Sequence, residues 1–189
     1  IVGGRGDKTA SKTLNRATDT TRQPGSTFKI LAAYSAALDA GGLTLASVQD
    51  DAPYTYAGAN GKSVNNYDRR YRGFTTLREA ITDSINIVTV KTLAQAGVSL
   101  GWQYVQEYGF TTVDSRDMNE ALALGGITQG VSNLELTAAY AAIANQGTYI
   151  KPKFYTKILD HDGNVLIDNT TPESHTVIKD STAYLLTSA

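Results

Sequence analysis

The chain has 189 residues, enough for one domain with a sizeable core, and its 41% apolar and 19% charged residues are an ordinary globular balance. Lys and Arg number 17 against 18 Asp and Glu, and a net charge of -1 argues against nucleic acid or an anionic membrane as the main partner. There is no cysteine, which excludes disulfides, thiolate nucleophiles and cysteine zinc sites and accords with an extracytoplasmic setting; no apolar run is long enough to span a bilayer.

Ile1-Val2-Gly3-Gly4 reads as the end of a strand, with no signal peptide ahead of it, and Leu185 to Ala189 stops inside a helical pattern. The chain is therefore expected to be a piece cut at both ends. Arg5-Gly6-Asp7 matches an adhesion tripeptide, which a polar turn after a strand also explains. Pro24-Gly25 breaks the chain just before Ser26. Thr27 to Ala40 is then apolar almost all round, which predicts a buried helix, stopped by Gly41-Gly42. Asp50 to Arg72 is rich in Tyr, Asn, Gly and Asp, holds no sustained period and reads as a long surface loop.

Thr75 to Ser84 predicts a short amphipathic helix capped by Thr75 or Thr76. Asn86 to Gly97 predicts a second and Leu100 to Phe110 a third. Gly125 to Gly147 is a glycine-rich turn followed by a helix, with Ser132 and Glu135 in a capping-box pattern. Lys153 to Asp168 alternates on both sides of Asp162-Gly163, a hairpin signal, and Lys179 to Ser188 reads as a final helix. No repeat, low-complexity tract or linker divides the chain, so residues 1–189 are read as one unit.

Ser26 and Lys29 break a local rule. A lysine in the first turn of a helix sits at the positive end of the macrodipole, where acidic residues are favoured. Three residues apart, the two side chains share one helix face. Serine needs a base within hydrogen-bond reach, and a lysine becomes one if burial and the helix start lower its pKa. Helix-start amides nearby can hold a developing oxyanion. The plain alternative is a serine cap followed by a surface lysine, and so short a motif matches often by chance.

Ser84-Ile85-Asn86 falls at the junction of two predicted helices. There the hydroxyl of Ser84 could relay a proton with the lysine. The amide of Asn86 could hold both the lysine and a substrate carbonyl. The alternative is that Ser84 or Asn86 caps the following helix.

Taken together, "RQPGSTFK", "TTLREAITDSINIVTVK" and "GGITQGVSNLELTAAYAAIANQGTYIKP" resemble the transpeptidase domain of penicillin-binding proteins, through its S-x-x-K motif, its S-x-N motif and a third long stretch. "NRATDTTRQPGSTFK" is similar to the bifunctional, class A branch. The resemblance covers nearly the whole chain. It implies an acyl-serine enzyme that cross-links peptidoglycan stem peptides, is acylated by β-lactams and uses no cofactor. Ser26 would be the nucleophile, Lys29 its proton acceptor, and Ser84 and Asn86 the second motif. It also implies an upstream glycosyltransferase domain and membrane anchor in a parent protein on the extracytoplasmic face of the bacterial membrane, this piece itself being soluble.

The family's third motif, a lysine, threonine or serine, then glycine, is absent: Lys8-Thr9 is followed by Ala10, Lys12-Thr13 and Lys91-Thr92 by leucine, and Lys62-Ser63 by Val64. By analogy it would follow Ala189. The expected fold is therefore α+β but predominantly helical, with a small antiparallel hairpin and most of the central sheet missing. The piece should react weakly, and the helix bearing Ser26 should leave an apolar face open, favouring self-association.

Two other classes remain open, a β-lactam hydrolase or sensor on the same scaffold and a non-catalytic interaction module. Glu79, Glu120 and Glu135 bear on the hydrolase, but none lies in an E-x-x-L-N pattern. Asp160, Asp162 and Asn164 mimic the start of a calcium loop, but Val165 holds the glycine position and Thr171 the closing glutamate position. His161 and His175 lack metal-site spacing.

Overall fold

In the computed structural model, which describes residues 6–7, 10–57 and 61–189, strand β1 (Thr21–Arg22) leads through Gln23 and Pro24 into one continuous helical rod ending at Asp39. The rod changes pitch along its length. Gly25–Thr27 is a tight 3-10 turn, Ile30–Tyr34 a wide π turn and α1 (Ser35–Asp39) regular α-helix. Wide turns of this kind occur singly inside helices and frequently lie at functional sites. The expected terminal strand, Ile1 to Gly4, and Arg5 of the tripeptide lie outside the described residues.

The next stretch departs from the loop expected between Asp50 and Arg72. Strand β2 (Val48–Asp51) pairs antiparallel with β5 (Gly73–Thr76), and inside that pair β3 (Tyr54–Thr55) lies against β4 (Ser63–Val64). Strands of two to four residues are too short to show a period of two, and glycine and asparagine dilute the pattern further. Asp51, Val64 and Asn66 are buried here, so the stretch carries interior residues as well as surface ones.

Helix α2 (Leu77–Thr82) starts on a capping box: Thr76 Oγ1 accepts from the Glu79 amide, and the Glu79 carboxylate accepts from the Thr76 amide. Helices α3 (Asn86–Ala96) and α4 (Val98–Glu107) follow. Two 3-10 turns, Ser115–Asp117 and Glu120–Leu124, lead to β6 (Val131–Ser132). The Ser132–Glu135 capping box starts α5 (Asn133–Ala144). Strands β7 (Thr148–Ile150), β8 (Lys157–Leu159), β9 (Val165–Asp168) and β10 (Ser174–Thr176) precede α6 (Asp180–Ser188). Each β element belongs to a two-stranded antiparallel pair, including β1 with β6, β7 with β10 and β8 with β9. The described residues hold no larger sheet.

The helical rod is the centre of the core. Phe28, Leu31, Ala32, Ala33, Tyr34, Ala36 and Ala37 are all fully buried, and Phe28 meets Phe110 edge to face at 5.1 Å. Fully burying a side chain such as Phe28 or Leu31 contributes about 1.5–3 kcal/mol. Helix α3 packs against the rod through Ile87, Val88, Val90 and Leu93, and α4 crosses it closely. A Cβ on Gly101 would sit 2.5 Å from the Ala32 carbonyl oxygen, so only glycine allows that approach. The expectation of an open apolar face on this helix is therefore corrected: α3, α4 and residues 120–124 enclose it. Exposed apolar side chains gather instead on the β8–β9 hairpin, at Leu159, Val165 and Leu166.

Candidate active site

Ser26 stands in the tight turn Gly25–Thr27, exposed. Three neighbours fix that turn. Gln23 clasps Ile127 at both ends of its amide: Oε1 accepts from the Ile127 amide at 2.9 Å, and Nε2 donates to the Ile127 carbonyl. Tyr140 donates its hydroxyl to the Thr27 carbonyl at 2.6 Å. Gly125, at φ 73°, lies so close to Gly25 that a Cβ would come within 2.6 Å of the Gly25 main-chain N and O.

Lys29 lies one turn along the rod and is only 3% exposed. Its Nζ donates to the Ser84 carbonyl at 2.5 Å, to Ser84 Oγ at 2.9 Å and to Asn86 Oδ1 at 2.6 Å. Three acceptors match the three protons of an ammonium. Burial still pushes its pKa down to about 8, because the charged form loses more hydration than the neutral one. Among the described residues no hydrogen bond joins Lys29 to Ser26; the lysine reaches toward the α2–α3 junction instead.

That junction is built around Ser84, which has φ 53°, in the left-handed region. Ile85 donates its amide to the Ala80 carbonyl at 2.9 Å and Ser84 donates its own to Ile81 at 3.2 Å. This bond pair ends a helix through a left-handed residue, a position glycine usually fills. Serine there costs on the order of 1 kcal/mol. The backbone reversal turns both the carbonyl and the hydroxyl of one residue toward Lys29.

Asn86 is the first residue of α3, and its side chain does not cap that helix. Its Nδ2 donates to the Asn65 carbonyl at 2.8 Å, so its Oδ1 faces Lys29. A main-chain carbonyl accepts only, which decides which end of the amide goes where. The first two amides of α3, from Asn86 and Ile87, are taken by Asn66 Oδ1 at 3.0 and 3.2 Å. Neither Ser84 nor Asn86 is thus the side-chain cap of α3.

The three glutamates have other partners. Glu79 and Glu135 complete capping boxes, and Glu135 also accepts from the amide and hydroxyl of Thr111. Glu120 is buried and accepts from the Tyr54 hydroxyl and the Ala57 amide, both at 2.9 Å. Asp160 closes the β8–β9 turn by accepting the amides of Asp162 and Asn164. Among the described residues no cluster of three or more His, Asp or Glu could hold a metal ion.

The structure thus brings Lys29, Ser84 and Asn86 into direct contact and places Ser26 one turn away on the same rod. Sequence reasoning missed Gln23, Gly125, Asn65, Asn66 and Asp51. The adjacent pair Asn65-Asn66 was the only local sign of the last three, since asparagine suits a turn as readily as a cap.

The sequence matches the family described as "Penicillin binding protein transpeptidase domain" over residues 3–189. Among similar curated proteins is penicillin-binding protein 1F of Bacillus subtilis, 42% identical over 168 residues, with 89% of this chain and 22% of that protein covered. Another is penicillin-binding protein 1A of Clostridium tetani, 36% identical over 201 residues, with 98% and 25% covered. These relatives are class A penicillin-binding proteins. This chain spans about a quarter of their length or less, 22% and 25% respectively. The crystal structure of penicillin-binding protein 1A from Haemophilus influenzae superposes with a TM-score of 0.80 at 29% identity, covering 93% of this chain and 30% of that one. A rod carrying Ser26 and Lys29 against a Ser84–Asn86 junction, a match over residues 3–189 and that shared fold lead to one conclusion: the chain belongs to the transpeptidase-domain family of penicillin-binding proteins.

Proposed function

We propose that this chain carries the acylation site of a peptidoglycan D,D-transpeptidase, with Ser26 as nucleophile, Lys29 as its base and Ser84 and Asn86 as the elements that hold and relay. The observation that carries this reading is the buried Lys29, bonded to Ser84 and Asn86 and lowered to about 8 by burial.

The bonding pattern gives the lysine a direction. Asn86 Oδ1 and the Ser84 carbonyl are acceptors only, so they take the two N–H bonds of a neutral amine. Its lone pair is left for a hydroxyl, either Ser84, which then donates, or Ser26. As Ser26 Oγ attacks the carbonyl of the penultimate D-alanine, breaking its amide bond to the terminal D-alanine, its proton passes to Lys29. From there it reaches the leaving amine through Ser84. The acyl-serine ester is then released by the amine of a second stem peptide. Exposure of Ser26 leaves room for that substrate. No cofactor enters these steps.

The same serine would take up β-lactams. The parent protein, by the family reading, adds a glycosyltransferase domain and a membrane anchor and works on the outer face of the bacterial cytoplasmic membrane. Among the described residues no helix is long and apolar enough to cross a membrane. Transpeptidase ranks above hydrolase because Glu79, Glu120 and Glu135 are each engaged in structural hydrogen bonds.

The test is intact mass and peptide mapping after incubation with a penicillin. A stable adduct on the peptide bearing Ser26, lost in Ser26→Ala, is expected. Rapid turnover of the drug would assign a hydrolase, and a protein containing this chain that binds none would assign an interaction module.

A further inference from the structure

Helix α3 begins without a local cap. Its cap position is Ile85, which is buried and has no side-chain oxygen, and the preceding Ser84 is committed to Lys29. The missing acceptor comes from a separate segment, through Asn66 Oδ1 to the amides of Asn86 and Ile87. We propose that Asn66, seated on Asp51, is a positioning residue for the acylation site: it holds the start of α3 so that Asn86 presents its carbonyl oxygen to Lys29.

Asn66 has no spare bonding capacity. Its Nδ2 donates to both carboxylate oxygens of Asp51, at 2.8 and 3.0 Å, and to the Arg70 carbonyl at 2.8 Å. Asp51 also accepts the Arg72 amide at 2.9 Å. Asn66 is 4% exposed and Asp51 0%, so the pair lies in the interior, where a polar group without partners is costly and a fully bonded network is rigid. The carboxylate also places negative charge near the positive end of α3.

The next residue back completes the grip. Asn65 accepts Asn86 Nδ2 on its carbonyl, so two consecutive residues hold both the main chain and the side chain of Asn86. The charged groups around the pair tie the same segment to the α2 terminus. Arg72 lies 3.8 Å from Asp51, 3.0 Å from Asp68 and 3.8 Å from Asp83, the residue before Ser84. The stretch that reads as a loop in sequence therefore orders the partner set of a buried lysine.

This proposal rests on the transpeptidase reading for its meaning, but its test does not. In the 189-residue chain the Lys29 titration is followed by the NMR shift of its Cε. Releasing Asn66 loosens Asn86, so the Lys29 ammonium loses an acceptor that favours its charged form, and Asn66→Ala lowers the titration midpoint by roughly one pH unit. A folded Asn66→Ala chain with an unmoved midpoint overturns the proposal. Should that variant fail to fold, Asn66→Ser, too short to reach both amides of α3, is read instead; a lowered midpoint supports the proposal and an unmoved one overturns it. A moved midpoint in a parent protein that binds no penicillin supports the positioning role and counts against the acylation reading alone.

Discussion

Lys29 and Ser84, 55 residues apart in sequence, meet twice: the ammonium donates to the Ser84 carbonyl at 2.5 Å and to its hydroxyl at 2.9 Å. One residue thus offers the lysine both a fixed acceptor and an exchangeable proton. The double contact depends on the left-handed backbone of Ser84, and the experiments below follow from it and from the groups around it.

Acylation by a penicillin should rise with pH through about 8, close to tenfold per unit well below that point, as the neutral amine of Lys29 gains population. Lys29→Ala should lower the acylation rate by ~10²–10⁴, the usual worth of a positioned base. Stability carries the same signature. The folded value lies below the ~10.4 of an unfolded lysine, so the unfolded state binds more protons between about 8 and ~10.4. The penalty is present in full below that window and fades as pH rises across it. Denaturant unfolding of Lys29→Met at several pH values should show this slope removed.

Ser84→Gly and Ser84→Ala should separate strain from chemistry. Both delete the hydroxyl and should slow acylation. Glycine also relieves the left-handed backbone and should stabilise the fold by on the order of 1 kcal/mol, whereas alanine keeps the strain. Melting temperatures of the two variants, compared with acylation rates, check this; equal melting temperatures would contradict it.

Asn86→Ser should leave α3 intact, because Asn66 rather than Asn86 satisfies its first amides. The shorter side chain cannot bridge Lys29 and Asn65. Loss of a hydrogen bond to a charged group is worth about 1.5–3 kcal/mol, so acylation should fall by ~10–100-fold with little change in helix content. Stopped-flow labelling and circular dichroism measure the two effects. Unchanged labelling would remove Asn86 from the site.

Gly125→Ala should act on Ser26 from outside the motifs. The new Cβ would collide with the Gly25 main chain at 2.6 Å and would force a left-handed alanine. Overpacking of this sort costs about 1–3 kcal/mol. The expected result is a lower melting temperature and slower acylation, although neither Ser26 nor Lys29 has changed.

Much of this protein follows from rules that act within a few residues. The Thr76–Glu79 and Ser132–Glu135 boxes, the turn at Asp162-Gly163 and the all-round apolar run after Pro24 each announce an element because cap, turn and period are local. The spacing of Ser26 and Lys29 likewise puts both on one rod. What tertiary structure alone decided is whom Lys29 meets. Nothing near residue 29 states that its ammonium will turn to Ser84 and Asn86, and the Asn65-Asn66 pair does not announce that Asn66 will cap a helix starting 20 residues later. The pairings of β2 with β5 and β3 with β4 were hidden for the same reason. Such contacts join segments far apart in the chain. They form because collective burial of the rod, α3 and their neighbours offsets the entropy of closing those loops, and buried polar groups must then bond to whatever that packing sets beside them.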